Sequence, residues 1–83
     1  MQASDPTTPP RILLVEDDTI SQTYFRAVLE ALPARVDIAA TSACALDRTK
    51  DAGYDLWLID LTLPDGPGLE LLPRLRDRCP QPP

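Results

Sequence analysis

An α/β fold built on a parallel sheet is the class this 83-residue sequence predicts. Two apolar runs carry the prediction. Ile12-Leu13-Leu14-Val15 and Leu56-Trp57-Leu58-Ile59 are continuous rather than alternating, as strands buried on both faces are. Stretches of helical period lie between and after them, so strand and helix alternate along the chain. Each apolar run also ends in acid: Glu16-Asp17-Asp18 follows the first and Asp60 the second. Open α/β sheets bind ligands beyond the carboxyl ends of their strands, where the winding reverses, and that is where these acids fall.

Residues 1–10 are rich in Ser, Thr, Pro and Asp without apolar period, and are expected to form a disordered tail before a domain spanning 11–83. After the first strand, Asp18 or Thr19 can cap a helix reaching about Leu32, with Ile20, Phe25, Val28, Leu29 and Leu32 as its apolar stripe and Pro33 as its stop. Arg35 to Ala39 reads as a second short strand. Thr41 or Ser42 can cap a second helix to about Ala52, closed by a left-handed Gly53. Beyond the strand at 56–59, Thr62 to Gly68 is turn-rich. Leu69 to about Arg78 then reads as a third helix with Leu69, Leu72 and Leu75 on one side and Pro73 inside it.

Composition narrows the function. A net charge of −5 argues against direct nucleic-acid binding. Two cysteines, Cys44 and Cys79, without histidine or CxxC spacing do not make a zinc site; reduced thiols are expected rather than a disulfide. No stretch approaches the roughly 20 apolar residues that span a bilayer, so an intracellular, cytoplasmic chain is expected.

If the two apolar runs are neighbouring parallel strands, their carboxylates meet at one sheet end. Carboxylates crowded there repel each other unless a cation sits among them. A hard divalent-cation site with one carboxylate left to react would have this pattern. Asp18 fits a helix cap better than a ligand. Asp55 and Asp65 read as solvent-facing or turn-stabilising acids, and Trp57 as packing. A haloacid-dehalogenase-type phosphatase also places a nucleophilic Asp after a buried strand, but needs a second acid where Thr62 stands. The chain has no glycine-rich phosphate loop.

Arg11-Ile12-Leu13-Leu14-Val15-Glu16-Asp17-Asp18, followed by Tyr54-Asp55-Leu56-Trp57-Leu58-Ile59-Asp60-Leu61-Thr62-Leu63-Pro64-Asp65-Gly66-Pro67-Gly68, resembles the receiver domain of bacterial two-component response regulators. The resemblance implies a flavodoxin-like (CheY-like) three-layer α/β/α fold with strand order 2-1-3-4-5. It implies that Asp60 is the phospho-acceptor, taking a phosphoryl group from a sensor histidine kinase or phosphotransfer protein. Mg²⁺ would be held by Glu16, Asp17, Asp60 and the Thr62 backbone carbonyl. The chain would be a signalling module and no enzyme beyond its own phosphorylation and dephosphorylation.

A full receiver continues through two more strand–helix units that supply a Ser or Thr and a Lys to the phosphoryl group. The sequence matches only the first three units, and Lys50, its only lysine, falls in the second helix. The third strand is therefore expected to be a bare edge on a sheet short of one covering helix, favouring a homodimer or higher oligomer. Two readings follow: a truncated phospho-accepting module, impaired as a switch, or a half-receiver that associates through its sheet edge without phosphotransfer.

Overall fold

The computed structural model describes residues 8–51 and 53–78. In chain order the elements are β1 (Arg11–Val15), α1 (Thr19–Glu30), β2 (Arg35–Ala39), α2 (Ser42–Asp51), β3 (Leu56–Ile59), β4 (Thr62–Leu63), β5 (Gly66–Pro67) and α3 (Gly68–Arg78). The main sheet is parallel, in the order β2-β1-β3. β1 is central, and Leu13 pairs with Asp37 on one side and with Trp57 on the other.

Alternation along β1 divides the core. Ile12 and Leu14 point to one face and pack with Leu29 of α1, Ala34 and Val36. Leu13 and Val15 point to the other and pack with Ala45 and Leu46 of α2, Leu63, and Leu71 and Leu75 of α3. Helices thus cover both faces, which is why the apolar runs are continuous. From β1 the chain crosses to β2 on one side, then returns past β1 to β3 on the other. The winding reverses between β1 and β3, the two strands that end in acid.

Several local expectations need correction. Residues 1–7 and 79–83, which include most of the expected tail and Cys79, lie outside the described residues. Pro10 is not part of a free tail, because its carbonyl accepts from the Arg35 N–H at 2.8 Å. α1 stops at Glu30, short of Leu32. Of its apolar stripe only Leu29 is buried, and Ile20 and Leu32 are 79% and 68% exposed. The stripe is wider than the part of the sheet beneath it. Gly53 is not left-handed; among the described residues Gly66, at φ 137°, is the glycine with positive φ. In α3 the buried leucines are Leu71 and Leu75, one turn apart, while Leu69 is exposed. Pro73 removes a helical hydrogen bond to the carbonyl of Leu69, on a turn that meets water.

The expected turn-rich loop is a small hairpin, with Thr62 opposite Pro67 and Leu63 opposite Gly66. Near the amino ends of β1 and β3, the Tyr54 hydroxyl donates to Asp37 Oδ2 at 2.7 Å. Arg11 reaches the same oxygen at 3.4 Å and lies 5.0 Å from the centre of the Tyr54 ring. The Arg11 N–H donates to Asp55 at 2.8 Å, so Asp55 fastens β1 rather than simply facing solvent. Cys44 is a free thiol, partly buried against the α2–α3 side of the sheet. No helix among the described residues is long and apolar enough to cross a membrane.

Candidate functional site

The site begins where the β-ladders end. The Glu16 N–H donates to the Ala39 carbonyl at 2.9 Å, extending the β1–β2 ladder by one residue. The Asp60 N–H donates to the Val15 carbonyl, also at 2.9 Å, and ties the end of β3 to the end of β1. The sheet thereby places both acidic strand ends side by side. Carboxylate oxygens of Glu16, Asp17 and Asp60 all lie within 4.8 Å of one another.

Glu16 and Asp60 are half-buried and Asp17 is exposed. Burial pushes the Glu16 carboxyl above its ordinary range. The neighbouring negative charges of Asp60 and Asp17 push the same way, against a hydrogen bond from the Asp18 N–H. A cation placed among these carboxylates would favour their charged forms. Three hard oxygen donors without histidine or thiol are the set a Mg²⁺ ion prefers, and they suit zinc or copper poorly. The residues present therefore fit Mg²⁺.

Asp18 is the α1 cap, its side chain accepting from the Ser21 N–H at 2.8 Å, which lowers its carboxyl below the usual range. Thr62 sits two residues beyond Asp60, and its N–H donates to Asp60 Oδ1 at 3.3 Å. A groove of about 250 Å³ runs up to the acids, lined by Leu14, Val15, Phe25, Leu58 and Ile59 as well as Glu16 and Asp60. A partly apolar wall beside a carboxylate cluster keeps the local dielectric low and strengthens interactions among charges.

Two residues escaped the sequence reading. Gly68 opens α3 so close to Asp60 that an added Cβ would overlap the Asp60 carbonyl oxygen and sit 2.8 Å from the Asp60 carbonyl carbon. Asp65, read as a turn acid, instead accepts from the N–H groups of Ser42 and Ala43 in α2. Neither has a local sequence signal, because each depends on what the fold brings opposite.

Comparison with known proteins agrees with this geometry. The model of the response regulator receiver domain matches residues 12–83. The aerobic respiration control sensor protein ArcB of Escherichia coli K12 is 43% identical over 70 residues, covering 84% of this chain and 9% of ArcB. A receiver domain from Methanospirillum hungatei superposes with a TM-score of 0.83 at 36% identity, over 88% of this chain and 58% of that one. The receiver domain of a sensor histidine kinase from Pseudomonas aeruginosa PAO1, solved with a magnesium ion coordinated in its active-site cleft, gives 0.79 at 33% identity, over 84% and 57%. The chain thus spans under three fifths of these solved receivers and about a tenth of the curated relative. With its family match, parallel β2-β1-β3 sheet and acidic switch point, this chain belongs to the response regulator receiver domain family.

Proposed function

We propose that this chain is the metal-binding and phospho-accepting part of a two-component receiver, with Asp60 as the acceptor. The observation that carries the reading is the meeting of three carboxylates within 4.8 Å at the β1–β3 switch point. Glu16, Asp17, Asp60 and the Thr62 carbonyl would hold Mg²⁺, which supplies charge neutralisation to an incoming phosphoryl group. An Asp60 carboxylate oxygen attacks phosphorus of a phosphohistidine on a sensor kinase or phosphotransfer protein. The P–N bond breaks, the imidazole nitrogen takes up a proton, and an acyl phosphate forms on Asp60. The Thr62 N–H at 3.3 Å holds the carboxylate's orientation, and the ladder bond to Val15 fixes its backbone. Such a donor makes the cytoplasm the place of action.

The test is Mg²⁺-dependent beryllofluoride binding, or labelling by acetyl phosphate, by the wild-type chain and by Asp60→Asn. Uptake that vanishes in the variant is expected; uptake that persists rejects Asp60 as acceptor.

A second reading, self-association through β3, is favoured by an asymmetry between the sheet edges. On the β2 edge the Arg26 guanidinium donates to the Val36 carbonyl at 3.3 Å, blunting it with a charge. Among the described residues no side chain bonds to the β3 backbone edge. There Leu56 is exposed, Phe25 of α1 lines a groove with Leu58 and Ile59, and Ile20, Tyr24 and Val28 of the same helix are exposed as well. Sedimentation velocity across a concentration series tests this reading: a monomer throughout rejects it.

A further inference from the structure

We infer that Asp65 is a positioning residue of this site, tying the loop that carries Asp60 and Thr62 to the amino end of α2. The inference rests on the reading of the carboxylates as Mg²⁺ ligands. After Asp60 the chain folds into the β4–β5 hairpin and enters α3 at Gly68. Bonds inside this loop, from Thr62 N–H to Asp60 Oδ1 at 3.3 Å and from Gly68 N–H to the Leu61 carbonyl at 2.8 Å, set its shape. They leave its placement against the rest of the domain open.

The ladder bond from the Asp60 N–H to the Val15 carbonyl fixes the start of the loop, and two further anchors place the hairpin. Leu63 is buried in the α2–α3 cluster and fixes one point of the hairpin. Asp65, in the hairpin turn, fixes the second: Oδ1 accepts from the Ser42 N–H at 2.9 Å and Oδ2 from the Ala43 N–H at 3.0 Å. Those N–H groups belong to the first turn of α2 and have no partner within the helix. α2 already has a local cap, since Thr41 Oγ1 accepts from the Cys44 N–H at 3.0 Å. Asp65 takes the two first-turn N–H groups that this local cap leaves over, and does so from a separate segment, so its bonds join the hairpin to α2 as well as capping the helix. Ala45 and Leu46 bind α2 to the sheet, so a continuous path of contacts runs from sheet to α2 to Asp65 to the Thr62 backbone.

Isothermal titration of the full 83-residue chain with MgCl2 tests the inference, alongside thermal melts of wild type, Asp65→Ala and Asp65→Asn. Loss of a group that orients metal ligands typically weakens affinity about tenfold or more, and Asp65→Ala is expected to do so while keeping its far-UV spectrum. Asp65→Asn, which keeps one acceptor oxygen, is expected to fall between the two at low and at high ionic strength. Asp65→Ala with wild-type Mg²⁺ affinity and only a lowered melting temperature would reduce Asp65 to a helix cap and overturn the inference. If the alanine variant does not fold, Asp65→Asn decides alone: unchanged affinity, or a deficit that disappears at high salt as a pure charge effect would, also overturns it. A wild-type chain that binds no Mg²⁺ sinks the metal reading and this inference together, whereas binding unaffected at Asp65 sinks the inference alone.

Discussion

Replacing Gly68 by alanine is expected to unseat the loop that begins at Asp60, and the cost follows from three contacts. The new Cβ would overlap the Asp60 carbonyl oxygen, lie 2.8 Å from the Asp60 carbonyl carbon and 3.0 Å from Ile59 Cγ2. Carbon atoms pack comfortably at about 3.5–4.0 Å, so the backbone at Asp60 or the start of α3 must shift. Neither side yields easily. The Asp60 N–H is bonded to Val15 and the Gly68 N–H to the Leu61 carbonyl, and Gly68 is itself buried. Overpacking of this kind costs about 1–3 kcal/mol. Alanine's better helix propensity returns about 0.5–1 kcal/mol, leaving a net loss of roughly 1–2 kcal/mol. In a domain of this size that lowers Tm by about 4–8 °C per kcal/mol. Urea denaturation followed by far-UV circular dichroism reads the change, with Gly53→Ala as control. Nothing lies within 4 Å of a Cβ at Gly53, and its φ is not positive, so that variant should stay within about 0.5 kcal/mol of wild type. A Gly68→Ala protein as stable as the control would refute the close approach of α3 to Asp60.

Three further outcomes are expected. Asp17→Asn and Asp60→Asn should each stabilise the metal-free chain by up to about 1 kcal/mol, since like charges a few ångströms apart in a solvated site repel by that order; both should lose most of the roughly 2.7 kcal/mol that Mg²⁺ at a hundred times its Kd gives the wild type, read as a melting shift. Because burial, with the nearby Asp60 and Asp17 charges, raises the folded-state pKa of Glu16, its protonated form is favoured in the native protein, so metal-free stability should fall as pH rises above the ordinary glutamate range; a flat profile by thermal melts would mean that Glu16 is neither buried nor crowded enough to shift. Tyr54→Phe takes away the hydroxyl that, with Arg11, holds the Asp37 carboxyl low. It should raise the Asp37 pKa in an NMR titration and cost about 1 kcal/mol, moderated by solvent at the half-exposed pair; the share of stability lost on acidification as Asp37 protonates should shrink with it.

The strand-borne part of the site was readable from sequence because its signals are local. Val15 and Ile59 end apolar runs, the next residue in each case is an acid, and a parallel sheet with β1 between β2 and β3 can only bring those ends together. Asp18 as the α1 cap was readable for the same reason: an N-cap is decided within four residues. Contacts between distant segments could not be read this way. Asp65 meets α2 across 22 and 23 residues, and Gly68 is needed only because α3 starts against the Asp60 carbonyl. The α1 stripe was misjudged differently. Periodicity identifies an apolar face, but how much of it is covered depends on how far the sheet extends beneath it, and here the flank beside β3 has no neighbour among the described residues.

That uncovered flank and the carboxylates are not independent surfaces. The groove of about 250 Å³ that carries Phe25 of α1 and Leu58 of β3 also carries Glu16 and Asp60. A second copy seated on the β3 edge and the α1 flank would close the approach to Asp60, so the proposed association and the proposed phosphoryl uptake would compete for the same space. Leu56→Lys, a charge on the bare edge of the kind that blunts natural edge strands, should then shift sedimentation toward monomer and at the same time speed Mg²⁺-dependent labelling of Asp60 at high protein concentration. At low concentration, where wild type is already dissociated, the variant and the wild type should label at the same rate. Faster labelling at both concentrations would mean that the lysine acts on the phosphoryl donor by charge, and monomer formation without any gain in labelling would mean that the paired surface leaves the acceptor open.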